Sequence, residues 1–364
     1  MTIDPAKSIS AFYAGQSIFL TGATGFLGKV FIEKVLRSCP DVCEIFLLMR
    51  PKKGLNVEER LKKMLNLPLY NKLRKEQPAN FEKLIPISGD VREKELGLSV
   101  ADRQMLIERV TIIIHSAANM KMHDSIKRAI FGNIRATRDI CILAQNMKNL
   151  IALVYISTAF THVHEPFIEE RAYPPIADWQ KIIEMAEILD EHTLNIFTTN
   201  CTDSTLIVLN CTSQKYLTRH DNIKLLLNIM NNIPMEGIIW TPNAVITDNT
   251  VLFYILTLLR ILPAILIELI FKFSGRPSAI VQMQRRLYMV NWTLSHFMLR
   301  DWKFSNTNSL ILLSSIPPDD RDVFSFEHTD FDIKRHIKST VTGIKKFLLY
   351  EDMNRLDAAR THDK

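Results

Sequence analysis

The stretch Ser17-Ile-Phe-Leu-Thr-Gly22-Ala-Thr-Gly25-Phe-Leu-Gly28-Lys-Val30 decides the fold. A β-rich run passes directly into three glycines spaced by three, and a helical pattern follows. Each glycine has its own task. Gly22 permits a tight turn, Gly25 lets backbone approach a pyrophosphate, and Gly28 allows helix to pack closely on strand. An anion then sits at the helix N-terminus, where free N–H groups and the helix dipole favour it. The chain has only eleven glycines in 364 residues, yet Gly15, Gly22, Gly25, Gly28 and Gly54 crowd its beginning. A glycine-poor protein that concentrates glycine in one region needs unusual backbone there.

Outward from this turn, two patterns alternate. Short β-rich runs fall at Ser17–Thr21, Glu44–Leu48, Leu84–Ser88, Val110–His115 and Ile151–Ser157. Helical stretches lie between and after them, at Phe26–Arg37, Val57–Leu65, Val100–Ile107, Ser125–Met147 and Trp179–Leu189. Ser99 and Asp102 have capping-box spacing, with Asp in place of the usual Glu or Gln. Strands apolar on both faces, separated by helices, predict an α/β fold: a Rossmann-type, doubly wound parallel sheet. Arg50 ends the second strand 22 residues past Gly28. An acidic residue near that position would bond a ribose 2′-hydroxyl, whereas an arginine suits a 2′-phosphate. Arg50, with Lys52 and Lys53, therefore points to NADP, the alternative being a solvated basic loop.

Composition narrows the class. The chain is 47% hydrophobic and 23% charged, which excludes disorder and collagen-like repeats. Its five cysteines form no Cys-x-x-Cys pair, which argues for a reducing compartment. Lysine and arginine are scattered, so the net charge of +6 suits an anionic small molecule or a membrane surface and predicts no nucleic-acid partner. The first residues have neither the basic segment nor the apolar run of a secretory leader. His162 and His164 flank Val163, yet with no carboxylate or cysteine cluster beside them no metal site is expected. The Asn-x-Thr matches at Asn200, Asn210 and Asn291 are read as coincidence.

Further landmarks are Gly89-Asp90-Val91, His115-Ser-Ala-Ala118 and Ser157-Thr-Ala159. With Thr21-Gly-Ala-Thr-Gly-Phe-Leu-Gly28 they resemble the extended short-chain dehydrogenase/reductases. The likeness is closer still to the insect-type fatty acyl-CoA reductases, through Leu47-Leu-Met-Arg-Pro-Lys-Lys-Gly54, Asn66-Leu-Pro-Leu69, Leu96-Gly-Leu98, Tyr173-Pro-Pro175 and Trp302-Lys-Phe-Ser-Asn306. The resemblance implies reduction of long-chain acyl-CoA by NADPH to a fatty alcohol. It implies that Thr21, Gly22, Ala23, Thr24, Gly25, Phe26, Leu27 and Gly28 line the pyrophosphate and that Arg50 meets the 2′-phosphate. Asp90 and Val91 would contact adenine, and Ala117 would lie along the cofactor. Ser157 would hydrogen-bond the substrate oxygen, and Asn133 falls at the family's helix asparagine. The implied domains are an NADP-binding domain over 10–198 and a helical, sterile-like domain over 199–364.

One part of the pattern is missing. The superfamily protonates the nascent alkoxide with a tyrosine whose pKa is lowered by a lysine four residues on. None of the eight tyrosines has that lysine. Tyr70 with Arg74 and Tyr216 with His220 are the nearest substitutes. From Thr205-Leu-Ile-Val-Leu-Asn-Cys-Thr-Ser213 the chain resembles a much later strand of the family. The resemblance therefore implies an internal deletion that removes the catalytic helix and leaves the sheet incomplete. Exon loss, a gene-model error and a decayed paralogue all fit. Two further readings stand beside the reductase: an inactive relative that binds nucleotide or acyl-CoA or pairs with an intact reductase, and another extended short-chain reductase.

Residues 251–273 are almost continuously apolar and long enough to cross a bilayer, but they contain Arg260, Pro263 and Glu268. Lys272, Arg276, Arg285 and Arg286 mark the following flank as cytosolic. A hairpin or in-plane anchor on membrane lipid fits better than a single crossing. With the resemblance, this points to the cytosolic face of a peroxisomal or endoplasmic reticulum membrane.

Overall fold

The computed structural model describes residues 8–52, 54–121, 124–160, 162, 165, 167–174, 178–189, 210, 219–233, 247, 249–273, 280–298, 300–326 and 332–351. Lys53, His164, Asn200, Cys201, Cys211, Tyr216 and Arg276 lie outside these residues, as does all of 205–213 except Asn210. The chain divides into two compact units. One is Met1–Cys211 with Lys303–Phe326, and the other is Thr212–Trp302 with Glu327–Lys364. The segment Lys303–Phe326 thus groups with the first unit.

The first unit runs α1 (Ile9–Tyr13), β1 (Ser17–Thr21), α2 (Phe26–Ser38), β2 (Glu44–Met49), α3 (Val57–Leu65), α4 (Asn71–Glu76), β3 (Leu84–Ser88), α5 (Val100–Arg109) and β4 (Ile112–His115). Then come α6 (Ile126–Ala129), α7 (Ala136–Gln145), β5 (Ala152–Tyr155), the short β6 (Phe167–Ile168) and α8 (Trp179–Ile188). The five-stranded sheet has the order β3-β2-β1-β4-β5, and every pairing in it is parallel. The order reverses between β1 and β4, which opens a crevice at the carboxyl ends of the strands, the usual place for a ligand in such sheets.

Alternation along each strand sends side chains to two covered faces. Ile18, Leu20, Ile45, Leu47, Ile112 and Ile114 pack with Ile32, Val35 and Leu36 of α2. Phe19, Phe46 and Ile113 pack with Leu106 of α5 and with Ile140 and Leu143 of α7. Ile18, Phe19 and Leu20 are fully buried, each contributing about 1.5–3 kcal/mol relative to exposure. The expectation of strands buried on both faces holds at the centre and fails at β5. There Val154 is 47% and Tyr155 40% exposed on the outermost strand among the described residues.

Two local expectations change. The helix expected over 125–147 is interrupted at Ile130–Arg135, which winds with the wider π pitch. Ser99 does cap α5 through the Asp102 N–H, but the Asp102 carboxylate takes the Ser99 hydroxyl, at 2.6 Å, instead of its N–H. Asp is one methylene too short to close the box. A full capping box forms instead at Asn56 and Glu59, at the start of α3.

The second unit holds α9 (Arg219–Asn232), α10 (Thr250–Phe273) and α11 (Ile280–Met298). In the first unit, β7 (Lys303–Phe304) pairs in parallel with β6, and α12 (Thr307–Ser314) and α13 (Arg321–Phe324) follow. The last helix, α14 (Ile333–Gly343), packs on α9 through Ile233, Ile337 and Val341. Helices α10 and α11 form an antiparallel hairpin. Glu268 near the end of α10 accepts the Val281 N–H at 2.7 Å, and Phe253 near its start stacks on Tyr288. Most of the α10 surface stays exposed and apolar, including Leu258, Leu259, Leu262, Leu266 and Phe273. Glu268, one of the residues that argued against a plain membrane span, is used as a cap for α11.

Candidate functional site

The crevice is built by residues that immediately follow the strands. After β1, Gly22 adopts φ +76, and a Cβ there would lie 2.7–2.8 Å from Ser116 Oγ and the Ala117 nitrogen. A Cβ on Gly28 would lie 2.4 Å from the Gly22 carbonyl oxygen. Both positions therefore require glycine: the first for backbone angle and space, the second because α2 rests directly on the turn. Gly25 is the N-cap of α2 and brings no side chain to it, so the N–H groups of the first turn are left for an external anion. Thr24, Phe26 and Leu27 beside it are exposed, and Ala23 is buried beneath. This cradle fits a pyrophosphate.

Beneath the cradle, a chain of hydrogen bonds ties β1 to β4 and α7. The Thr137 hydroxyl donates to the Asn133 carbonyl at 2.6 Å, so its oxygen accepts from His115 Nε2 at 3.3 Å. His115 Nδ1 is then the acceptor for the Thr21 hydroxyl at 2.7 Å, and Thr21 Oγ1 accepts the Ala117 N–H at 3.2 Å. The network thereby assigns the tautomer. Burial pushes the His115 pKa down to about 4, which keeps the ring neutral, and it stacks on Tyr155 at 5.3 Å. Ala117 is thus held against the glycine turn, although its N–H is already used.

After β2 and β3 lies an open groove of about 450 Å3, lined in part by Arg50, Lys52, Gly89, Asp90 and Arg92. Asp90 accepts from Arg92 Nη2 at 2.7 Å and from Arg50 Nη1 at 3.3 Å. Burial would raise the Asp90 pKa, but the Arg92 hydrogen bonds and the two arginine charges outweigh it and hold the carboxyl below its ordinary range. Arg50 is therefore at the groove, but it is engaged by a carboxylate. Val91, expected near adenine, is half-buried against the core on the α5 and α7 face.

Asn133 lies in the π turn, where its side chain clamps one residue of the loop after β4. Its Oδ1 accepts the Asn119 N–H at 2.6 Å, and its Nδ2 donates to the Asn119 carbonyl at 3.2 Å. Ser157 is exposed just past β5, at the same end of the sheet as the glycine turn. Tyr70 cannot replace the missing acid. It is fully buried, its hydroxyl donates to the Lys29 carbonyl at 3.3 Å, and burial raises its pKa. His162 stacks on Tyr173 at 4.3 Å.

No role for Arg92, Arg135 or the His115 network is expected from motif or composition. Arg92 carried a signal, since it stands two residues from Asp90 on the same turn. The tie between His115 and Thr137, 22 positions apart, carried none.

Comparison with known proteins agrees with this architecture. The NAD-binding family described as male sterility protein matches residues 20–206, and the Sterile family, described in the same words, matches residues 259–351. Fatty acyl-CoA reductase 1 of Xenopus laevis is 27% identical over 457 residues, covering 98% of this chain and 89% of the relative. The human protein of that name is 26% identical, with the same coverage of each chain. These alignments are longer than the chain's own 364 residues, so a stretch of each relative has no counterpart here. Among solved structures, the thiolation-reductase di-domain of an archaeal non-ribosomal peptide synthetase is 17% identical, covers 93% of this chain and 76% of its own, and has a TM-score of 0.42. The terminal R domain of the myxalamid pathway is 30% identical over 44% of this chain and 40% of its own, with a TM-score of 0.36. Scores below 0.5 add nothing to the fold already described. With a glycine-rich turn on a parallel sheet and two family matches that together span most of its length, the chain belongs to the fatty acyl-CoA reductase family of male sterility proteins, whose first part is an NAD(P)-binding reductase domain.

Proposed function

We propose that this chain binds NADPH and serves the reduction of long-chain fatty acyl-CoA to fatty alcohol. The observation that carries the reading is the cradle: Gly22 and Gly28 leave no room for a side chain, and an uncapped α2 faces the anion. Arg50 beside the groove supports the phosphorylated dinucleotide over NADH. The bound cofactor would supply hydride. The chain's residues would hold it: Thr21, Gly22, Ala23, Thr24, Gly25, Phe26, Leu27 and Gly28 along the pyrophosphate, Arg50 and Asp90 at the adenosine end with Val91 behind them, and Ala117 along its length. Ser157 would donate a hydrogen bond to the substrate oxygen, and Asn133 would hold the loop beside it.

A second reading has its own support. No tyrosine in the chain is followed by a lysine at plus four, and among the described residues β5 is the outermost strand. On this reading the chain binds nucleotide without turnover. Incubating purified full-length chain with NADPH and a long-chain acyl-CoA separates the two. Fatty alcohol in stoichiometric excess over enzyme supports the reductase, and cofactor binding without alcohol supports the inactive relative. The exposed apolar α10 supports attachment to a lipid surface through the α10–α11 hairpin. Failure of the full chain to float with phosphatidylcholine vesicles would contradict that attachment.

A further inference from the structure

At the groove after β2 and β3, Arg92 has no task in the reading above. Its guanidinium and that of Arg50 meet at one atom, Asp90 Oδ2, at 2.7 and 3.3 Å. Arg92 also donates through Nε to both Asp90 oxygens at 3.2 Å, and its own N–H reaches Oδ1 at 3.1 Å. Four N–H groups, three from Arg92 and one from Arg50, thus fill the roughly four acceptor sites of the Asp90 carboxylate. Both arginine side chains remain about 40% exposed at the groove, while Asp90 is 17% exposed between them.

We propose that Arg92 is a specificity-determining residue of the cofactor site. It would leave Asp90 and, with Arg50, grip the phosphoryl group on the adenosine ribose of NADPH. The proposal rests on the cofactor reading given above and deepens it. Two guanidiniums converging on a single oxygen form an arrangement that a phosphoryl oxygen can enter, since charge-assisted, forked hydrogen bonds are how arginine recognises phosphate. Charge points the same way. Arg50, Arg92 and Lys52 against Asp90 and Glu93 leave the groove lining with one net positive charge, which favours an anion such as a phosphate monoester of about −1.5 to −2. After the exchange Asp90 keeps the Arg92 N–H and recovers acceptor capacity for a donor on the ligand.

The scaffold holds the main chain and leaves the side chain able to change partner. The Arg92 carbonyl accepts from Arg135 Nη2. Arg135 itself is 5% exposed, lies 3.9 Å from the Phe131 ring centroid and pairs with Glu187 at 3.5 Å. The turn that carries Arg92 is further pinned where Asp90 donates its N–H to the Leu96 carbonyl at 2.9 Å and where buried Asp139 accepts the Glu95 N–H at 3.1 Å.

The test is a fluorescence titration of the full-length chain with NADPH and with NADH, for the unaltered protein and for Arg92→Gln, Arg92→Lys and Arg50→Gln. A hydrogen bond to a charged group is worth about 1.5–3 kcal/mol, so Arg92→Gln should weaken NADPH binding roughly 10- to 100-fold. NADH should change by less than about three-fold, and Arg92→Lys should recover part of the loss. NADPH affinity unchanged in Arg92→Gln but lost in Arg50→Gln overturns the role of Arg92 and leaves the cofactor reading intact. Equal loss of both cofactors in Arg92→Gln makes Arg92 a structural support of Asp90 and also overturns the proposal. An unaltered chain that binds both cofactors equally overturns the cofactor reading, and this proposal with it.

Discussion

His115 shows how one side chain can couple the cradle to the stability of the fold. Its ring is fully buried, it donates to Thr137 and accepts from Thr21, and its pKa lies near 4 against an ordinary value of 6.5. The unfolded chain therefore binds a proton between those values that the folded chain refuses. Stability from this residue is complete above about pH 6.5 and is lost as pH falls towards 4. The loss should be of the order of 3 kcal/mol. Denaturant unfolding of the full chain at pH 7 and pH 4.5 should show that drop, and His115→Gln should flatten the slope across this window. An unchanged slope in the variant would show that another group titrates there. Nothing in the sequence around His115 announced this. The residue read as the end of a strand, because its partners come from β1 and α7.

At the scale of elements, the long helix before β5 changes pitch midway. An uninterrupted α-helix over 125–147 would pair every interior backbone group, yet Ile130–Arg135 takes the wider pitch. Such bulges inside helices often sit at functional sites. Here the bulge carries Asn133, whose amide grips both backbone groups of Asn119 and orders the loop that leads back to Ala117. Asn133→Ala removes two hydrogen bonds and leaves a part-buried N–H and carbonyl without them, a cost of about 1–3 kcal/mol. The expected result is a lower thermal midpoint together with weaker NADPH binding. Destabilisation with cofactor affinity untouched would separate the clamp from the site. Periodicity made the helix itself legible, because apolar residues recur at helical spacing along Ala136, Ile140 and Leu143. The bulge was not legible, since it answers to a loop 14 residues earlier. The glycine turn was readable in advance for the opposite reason: its requirements at Gly22 and Gly28 are local.

At the scale of the whole molecule, the described strands form a doubly wound parallel sheet that ends at β5. Five parallel strands in the order 3-2-1-4-5 put the crevice beside Gly22, while β5 keeps Val154 and Tyr155 in solvent. The missing Tyr-x-x-x-Lys was visible in the sequence alone. The return of Lys303–Phe326 to the first unit was not visible. It depends on Glu170, which accepts N–H groups from Asn210, 40 positions away, and from Asn308 and Ser309, 138 and 139 positions away. The account's central claim is that the first unit grips a dinucleotide bearing an extra phosphoryl group. Thermal unfolding of the full-length chain with and without NADPH tests it most directly. Ligand at 100 times its dissociation constant adds about 2.7 kcal/mol, which for a unit of this size raises the midpoint by roughly 5–10 °C, and NADH at the same concentration should raise it less. A folded preparation whose midpoint moves with neither cofactor would contradict the claim.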